Sequence, residues 1–435
     1  MRSRTIVLIT LAVFIAAIYY FFSDEKLNPE AQKWIEYYSK PANLDKNIFI
    51  EFIALGSDSE NAYELAVNRY EDSVKHIKNG FVDDERLITY PEIPGYFDFH
   101  ENSLFCTFDE EKCFEQLKLN RSKIEPTINL HAQRIKKLIS LSELSNFSHI
   151  NSMATQQDLN QLRFMFNIAA IDTYNAYLDK DHTTVSQNLS SLIHIDRKLM
   201  EHSGKGSFFI SFIVNVQALY IPIIQHLIAS DFNQWQQLRN QLPPLSMEEL
   251  SNNQMHINMF ADGYHSLKFE SIANQIEENS HLNRMTAKLR YKENATNNRL
   301  YERLQYDLIE SPEKSVLLEE LTEKGIEREK HYDSWRSISK HMFLIPLMNP
   351  RNIVGSILAT TIAPRFLDIY DDAIEADLKL YLLNILIELE HNGIERILEK
   401  DQYTNPYTGE KPFTENGSLC YQMEEPICLA LSIST

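Results

Sequence analysis

The most apolar stretch of the chain lies at its amino end. Residues 5–22 form an uncharged run of eighteen residues, with two arginines before it and two acidic residues after it. A run of this length is close to the minimum that crosses the hydrocarbon layer of a bilayer as a helix. Because basic residues favour the cytoplasmic side, the pattern predicts a cytoplasmic tail over 1–4, a transmembrane anchor over 5–22 and the remaining chain outside the cytoplasm.

A cleaved signal peptide is one alternative for this segment, and a core helix outside the membrane is another, which the terminal position and the flanking arginines disfavour. Cleavage requires small residues shortly after the apolar core, whereas this run ends in the bulky sequence Ile-Tyr-Tyr-Phe-Phe at residues 18–22. Tyrosine rings also favour the membrane interface, where Tyr19 and Tyr20 would lie. The pattern therefore favours a retained, single-pass anchor over a leader that is removed.

Beyond the anchor, apolar residues recur at intervals of three and four, which is the helical period. Asn28-Pro29 and a capping-box pattern from Ser246 to Glu249 are start signals for helices. The sequence therefore predicts an all-α periplasmic domain over 23–400, built from stacked antiparallel helical hairpins in a solenoid-like array. The expected helices cover about 29–40, 47–55, 60–78, 107–144 with a break or kink at Pro126, 156–178, 183–201, 207–229 and 349–390.

Three segments depart from this regular pattern. Residues 207–229 are apolar enough to span a membrane, but several amides and His226 would each need a partner in lipid, so we predict a buried core helix. A Leu-Pro-Pro sequence indicates a linker and a possible sub-boundary near 242–246. Residues 280–335 are highly charged with few apolar positions, which predicts an exposed helix pair or a mobile arm.

The last segment, 401–435, changes character. Residues 405–409 are rich in turn-forming types, and two short β-prone runs, 419–423 and 427–433, flank a Glu-Glu-Pro turn. These signals predict a small β-hairpin that closes the chain. Pro406 and Gly409 are the expected structural residues of the preceding turn.

Four cysteines form two local pairs, Cys106 with Cys113 and Cys420 with Cys428. An even number in close pairs is typical of disulfides in an oxidising compartment, and ordinary thiols are the alternative. A zinc site is disfavoured, because neither spacing matches the short C-x2-4-C ligand pattern. A capping-box pattern at residues 107–110 would place Cys106 just outside a helix and Cys113 in its second turn. One bridge would then pin a loop to that helix, and the other would staple the terminal hairpin.

Composition and charge limit the fold and its partners. Glycine is scarce, at 11 of 435 residues, which disfavours turn-rich β folds. The formal net charge is −19, and without the two arginines before the anchor 40 basic residues face 61 acidic ones, which leaves −21 beyond it. Such a surface repels phosphate backbones and anionic lipid head groups. We therefore expect no nucleic-acid binding and no domain lying flat on the bilayer.

Residues 405–413, Asn-Pro-Tyr-Thr-Gly-Glu-Lys-Pro-Phe, resemble the D-P-[FY]-[ST]-G-x-P-[LF] segment that ends various membrane-anchored, all-helical bacterial envelope proteins of unknown function. The first cysteine pair and the apolar helix that opens after Pro350 are similar to that group as well. Asn405 takes the place of the usual Asp, and Glu410 is inserted relative to the pattern. The resemblance implies an envelope location and no particular activity.

Two groups of titratable residues could support chemistry. Four carboxylates at helical spacing share one side of the predicted helix over 349–390 and could hold a hard cation or form an acid–base pair. His256 and His265 flank Asp262, and a histidine beside a carboxylate can act as a base. An exposed acidic face and structural histidines are the respective alternatives. The four carboxylates are Asp368, Asp371, Asp372 and Glu375.

Sequence motifs of catalysis do not decide the function. No G-x-S-x-G, P-loop or G-x-G-x-x-G pattern occurs, and Glu388-x-x-His391 lacks the second pair that a di-iron bundle site requires. We therefore assign no catalytic, cofactor-binding or metal-ligating residue. The working hypothesis is a non-enzymatic interaction or scaffold protein of the bacterial inner membrane that binds an envelope protein partner, because stacked helices offer long grooves. The alternative is an envelope hydrolase acting on cell-wall or lipid material.

Overall fold

The computed structural model describes residues 23–57, 59–78, 105–148, 156–203, 206–230, 242–268, 291–340, 367–389 and 400–431, with a few isolated positions between these ranges. The predicted cytoplasmic tail and anchor over 1–22 lie outside the described residues. So does most of 349–366, the first part of the helix predicted over 349–390.

Three short helices follow the predicted anchor: α1 (Pro29–Tyr38), α2 (Ile48–Ala54) and α3 (Ala62–Lys78). Asparagine side chains cap the first two. Asn28 accepts a hydrogen bond from the N–H two residues on, and Asn47 does the same at α2, which satisfies N–H groups that lack an intrahelical partner. The predicted start at Asn28-Pro29 is confirmed.

The next three helices are α4 (Cys113–Ser140), α5 (Gln156–Leu178) and α6 (His182–Ser203). Helices that follow one another in the chain pack on one another: α2 on α3, α4 on α5, and α5 on α6. Pro126 lies inside α4, and the helix continues across it, so the proline does not break the helix.

The predicted core helix over 207–229 consists of α7 (Gly206–Asn215), a π-turn (Val216–Tyr220) and α8 (Ile221–Ile228). By length and composition Gly206–Ile228 could cross a membrane, but 67% of its most apolar window is buried within the protein. The helix packs against α5, α6 and a later helix near the carboxyl end. The core helix of a folded domain has these properties.

Part of the charged segment 280–335 is more deeply buried than its composition suggests. The prediction of an exposed pair or arm over 280–335 is wrong for its first helix, whose residues Leu300, Tyr301 and Leu304 are buried. Trp34 of α1 packs edge-on against Tyr301, with ring centroids 4.8 Å apart. Apolar residues four apart give that helix a core-facing stripe despite its charge. The helices are α9 (Met247–Ser251), α10 (Asn253–Ser266), α11 (Glu293–Tyr306), α12 (Lys314–Lys340) and α13 (Leu367–Leu389).

A three-stranded antiparallel sheet closes the described chain, with β1 (Phe413–Glu415), β2 (Ser418–Tyr421) and β3 (Ile427–Ala430) in the order β1-β2-β3. The predicted hairpin corresponds to β2 and β3, and β1 is an additional strand. Both β2 and β3 pack on α13, which also contacts α7, α8 and α9. Helix α13 is therefore the element on which α7, α8, α9 and the C-terminal sheet meet.

Both predicted cysteine pairs lie at disulfide distance, with Sγ–Sγ separations of 2.03 Å for Cys106–Cys113 and 2.04 Å for Cys420–Cys428. The second pair faces itself across β2 and β3. Cys113 is the first residue of α4 and does not lie in its second turn as predicted. The reason is that residues 107–110 close a separate turn, in which the Thr107 N–H donates to the Glu110 carboxylate at 3.0 Å.

The terminal disulfide should stabilise the sheet by restricting the unfolded chain. Replacing Cys420 and Cys428 together with serine should lower the free energy of unfolding by about 2 kcal/mol, given the short loop that they close. Urea unfolding measures this change.

Alkylation in intact cells should label all four cysteines only after reductant is added, and four freely labelled thiols would contradict the disulfides and the oxidising compartment.

Candidate functional site

A fully buried carboxylate lies in the middle of α13. Asp377 Oδ2 accepts hydrogen bonds from Lys314 Nζ at 2.7 Å and from Tyr407 Oη at 2.8 Å. Its Oδ1 accepts from the backbone N–H of Leu245 at 2.5 Å. The hydroxyl of Tyr381, one turn further along α13, lies 3.5 Å from Lys314 Nζ. We call these five residues the Asp377 cluster.

Burial and pairing act in opposite directions in this cluster. Burial raises the pKa of Asp377, while Lys314, Tyr407 and the Leu245 N–H favour its ionised form. Burial likewise lowers the pKa of Lys314, and Asp377 opposes that shift. Burial also raises the pKa of Tyr381 to about 12, so its hydroxyl stays protonated. Each charge therefore depends on its partner, because a lone charge in this environment would be strongly destabilising.

A second ion pair fixes the segment that precedes α9. Arg197 of α6 forms a two-pronged contact with Glu249, and it also donates to the backbone carbonyls of Pro243 at 2.7 Å and Pro244 at 3.1 Å. Burial would raise the pKa of Glu249, but the bonds and charge of Arg197 together with the hydrogen bonds from Ser246 outweigh it and lower that pKa. The predicted linker at 242–246 is thus held by α6 through its carbonyls and by α13 through its Leu245 N–H.

The C-terminal turn places Tyr407 in the cluster. The Asn405 side chain accepts from the Tyr407 N–H at 2.9 Å, and the Gly409 N–H donates to the Asn405 carbonyl at 2.9 Å. Gly409 has a φ of +76°, a conformation that glycine adopts without steric cost. Glu388 of α13 holds the approach to this turn by accepting from Lys400 Nζ at 2.5 Å and from the Tyr403 hydroxyl.

The Asp377 cluster joins distant segments, and its acidic and basic atoms are poorly placed to reach a substrate. Both oxygens of Asp377 are engaged by protein donors, and the Lys314 side chain is only 10% exposed. A general base needs a lone pair that can reach a substrate proton. The Asp377 cluster therefore has the geometry of a structural lock among α12, α13, the 242–246 segment and the C-terminal turn.

The carboxylates singled out from the sequence lie elsewhere on α13. Asp371 and Asp372 are exposed, and Glu375 forms an ion pair with Lys379 at 2.6 Å. The side chain of Asp368 lies outside the described residues. Among the residues that the structure describes, no group of three or more His, Cys, Asp and Glu side chains is placed to hold a metal ion. A role for these carboxylates in chemistry remains a prediction.

Both histidines singled out from the sequence are buried in α10. His256 and His265 are nine residues apart, which separates them by about 13 Å along a helix, so they do not form one site. The ring of His265 lies beside that of Tyr38, with centroids 6.4 Å apart, and the Tyr38 hydroxyl donates to Asp262. The structure thus brings His265, Tyr38 and Asp262 together.

The sequence contains one signal of the Asp377 cluster, which the prediction from carboxylate spacing overlooked. Asp377 stands three and four residues from buried Ile374 and Ala373, and seven from buried Tyr370. A carboxylate on the apolar face of a helix needs a buried partner, so its position marks a polar contact. Nothing in the spacing identifies Lys314 or Tyr407 as the partner, because they come from distant segments.

A second buried carboxyl group joins α6 to the π-turn. Asp196 Oδ2 accepts from Asn215 Nδ2 at 2.8 Å and from Tyr220 Oη at 2.9 Å, and its Oδ1 has no hydrogen-bond partner in the described part of the chain. In a regular helix, residues five apart point about 140° away from each other. The π-turn between Asn215 and Tyr220 changes this angle. Burial raises the pKa of Asp196 to about 7.

Comparison of the chain with protein-family models, with curated proteins and with solved structures gave no match. The resemblance stated for residues 405–413 therefore stays a prediction.

Removing the ionisable group at Asp196 should change how stability depends on pH. The folded state holds the Asp196 proton up to about pH 7, whereas an unfolded aspartate releases it near pH 3.9. The free energy of unfolding should therefore fall as pH rises from about 4 to 7, by up to about 4 kcal/mol from this group. Asp196→Asn should flatten that slope and stabilise the protein above pH 7, as measured by urea unfolding across this range.

The exposed Asp179 supplies the matched control, since Arg121 lowers its pKa and its replacement by Asn should leave the slope in place. An Asp196→Asn variant with the slope of the unaltered protein would contradict the assignment.

Loss of the Tyr407 hydroxyl should loosen the C-terminal sheet. Tyr407→Phe removes one of three donors to Asp377, which should cost about 1–3 kcal/mol for a hydrogen bond to a buried charged group. Hydrogen exchange should also become faster in β1 to β3, because the turn before them loses its contact with α13. Tyr37→Phe, at an exposed position of α1, is the control. Equal stability of the two variants would show that the contact contributes nothing.

Proposed function

We propose that this chain is a non-enzymatic interaction protein of the bacterial inner membrane, held by an N-terminal anchor over 5–22 with its helical domain in the periplasm. The observation that carries the proposal is that the buried polar groups of the Asp377 cluster bond to one another. Its converging charged groups are saturated by one another and tie four segments together. Such an arrangement suits a rigid body that presents surfaces to a partner.

A strap of side-chain hydrogen bonds supports direct attachment of this body to the anchor. The Asp24 carboxylate accepts from the backbone N–H groups of Asn294 at 2.8 Å and Ala295 at 3.2 Å. It thereby caps α11, whose own N-cap position holds a lysine, a side chain that cannot accept a hydrogen bond. Asn298 Nδ2 donates to the carbonyl of Lys26 at 2.9 Å, and Asn298 Oδ1 accepts from the Asn28 N–H at 2.7 Å.

This strap begins two residues after the predicted end of the anchor. Two extended residues span at most about 7 Å, so an anchor that ends at Phe22 would hold the start of α11 close to the membrane surface. The domain would then have a fixed orientation relative to the bilayer. A scaffold benefits from such pre-organisation, because partners meet a surface that is already positioned.

The packing of successive helices supports a stacked, solenoid-like arrangement as part of the same proposal. Helices α4, α5 and α6 each contact the helix that follows in the chain, and stacked helix pairs form the extended surfaces that interaction proteins use. Helix α1 also contacts α10, which is distant in the chain. A simple linear array of helices lacks such a contact.

An envelope hydrolase acting on cell-wall or lipid material is the second candidate, and one observation favours it. His265 lies next to Tyr38, whose hydroxyl binds the Asp262 carboxylate, and histidine with a carboxylate nearby is a common source of general bases. His265→Ala should abolish hydrolysis of purified wall or lipid material if this candidate is correct. His131→Ala, at a buried histidine of α4, controls for loss of packing.

A reporter fusion and crosslinking in intact cells test the interaction proposal together. Alkaline phosphatase fused after Thr435 should be active, because it matures where disulfides form. Crosslinking should recover a specific envelope protein with the full chain. An inactive alkaline phosphatase fusion, with activity only from a cytosolic reporter fused at the same position, would contradict the proposal. Crosslinking that recovers no specific envelope partner would contradict it as well.

A further inference from the structure

The interface between α6 and the π-turn buries polar groups that are only partly satisfied. The hydrogen bonds that Asp196 receives within the described chain come from Asn215 and Tyr220, and both end on Oδ2. Its other oxygen, Oδ1, is buried and has no partner there. Ser211, one turn before Asn215, also buries a hydroxyl that has no partner in the described chain. The interface thus differs from the Asp377 cluster, whose central carboxylate is bonded at both oxygens.

Among the described residues, no neighbouring charge compensates Asp196. Helix α7 has no titratable side chain, the π-turn has Tyr220 and α8 has His226. Helices α4, α5 and α13 also pack against α6, α7 or the π-turn. Their buried titratable residues are His131, Arg134, Tyr174, Tyr370 and Asp377, Asp172 is half-buried, and His194 and Arg197 lie within two residues of Asp196 in α6. The pKa of Asp196 responds to none of these: burial raises it to about 7, and the bonds from Asn215 and Tyr220 oppose that rise.

The helix opposite Asp196 is irregular at this level of the interface. The π-turn Val216–Tyr220 interrupts the regular helical bonds, and Pro222, near the start of α8, has no N–H to donate. Helices kink at π-turns and at prolines. Side-chain contacts from this region to its other neighbours are long, since Gln217 and Gln225 reach backbone carbonyls of α13 and β3 at 3.3 Å each. The segment is therefore a natural position for a hinge.

The π-turn and the two bonds to Asp196 depend on each other. Asn215 and Tyr220 are five residues apart, and in a regular helix their side chains would point about 140° away from each other. The wider π-turn lets both reach the same oxygen, at 2.8 and 2.9 Å. A turn that relaxes toward regular helix rotates Tyr220 away from Asp196 and separates the turn from α6.

We infer that Asp196, Asn215 and the π-turn form a pH-sensitive latch between α6 and the helix made of α7 and α8. A neutral Asp196 tolerates burial, and the bonds from Asn215 and Tyr220 then hold the turn against α6. When the proton passes to solvent, a buried anion remains with one oxygen unsolvated. Opening at the π-turn admits water to that anion. The latch belongs to the folded domain in any compartment, so the inference goes beyond the proposed function and does not rest on it.

The latch opens as pH rises. In the closed state Asp196 keeps its proton up to about pH 7, whereas a hydrated aspartate releases it near pH 3.9. Opening is therefore coupled to the release of one proton between these two values. The equilibrium constant for opening should rise by about tenfold per pH unit above about pH 5 and level off above about pH 7. The rise should be confined to the α7–α8 helix, which separates the latch from unfolding of the whole domain.

Native-state hydrogen exchange of the full-length protein in nanodiscs of zwitterionic lipid tests the latch. Exchange rates are measured by mass spectrometry from about pH 5 to about pH 9 and divided by the intrinsic rate of each amide at that pH. Amides of the π-turn and α8 should show the rise in opening, and amides of α2 and α3 should not. Asp196→Asn keeps the shape of the side chain but cannot ionise, so opening in this variant should stay at its low-pH value throughout. Asp179→Asn, at an exposed position, is the matched control and should keep the rise.

A second variant tests the role of the π-turn directly. The Tyr220 hydroxyl favours the ionised form of Asp196, so Tyr220→Phe should move the pH at which the rise levels off to a higher value. A levelling pH that does not move would overturn the inference. So would an unaltered protein without the rise, an Asp196→Asn variant that keeps it, or a rise of equal size in every helix, which is the signature of global unfolding.

Discussion

An aspartate and a lysine with almost no access to water join four distant segments of the described chain. Asp377 and Lys314 come from segments 63 residues apart, and the same carboxylate binds Leu245 and Tyr407, which are 132 and 30 residues away. A buried ion pair is stable only when all its donors and acceptors are in place. The contact therefore forms in one arrangement of these segments, and other arrangements leave a buried charge without a partner.

The other polar contacts act in the same way at the remaining junctions. Arg197 and Glu249 hold the 242–246 segment on α6, and Asp24 holds the first described residues on α11. Apolar helix faces tolerate small shifts of one helix along another, because hydrophobic contact has no preferred direction. A few directional contacts between distant segments remove that freedom, and the helices of this acidic chain become a body with defined surfaces.

The sequence predicted those parts of the fold that local chemistry decides. The Asn28 cap, the Ser246–Glu249 capping box and the two cysteine pairs are local patterns, and the structure confirms each. Strand β1 was missed because three residues, Phe-Thr-Glu, carry too little pattern. The burial of α11 was missed because its apolar residues are few. Whether they are buried depends on Trp34 and other partners from distant segments.

The candidate site shows the same limit. Helical spacing drew attention to Asp371, Asp372 and Glu375, which face solvent or a lysine four residues away. The carboxylate that matters for packing, Asp377, lies on the opposite, apolar side of the same helix. Periodicity identifies the face on which a residue lies, and its partners are set by tertiary structure. Lys314 and Tyr407 could therefore not be assigned to Asp377 without the fold.

A double-mutant cycle between Lys314→Met and Asp377→Leu tests the central claim most directly. Each single variant leaves one buried charge without its partner and should lower the free energy of unfolding by about 3–5 kcal/mol. The double variant removes both charges and should cost clearly less than the sum, with a coupling of about 2 kcal/mol or more. Additive losses, or single losses below about 1 kcal/mol, would show that this ion pair does not hold the structure together.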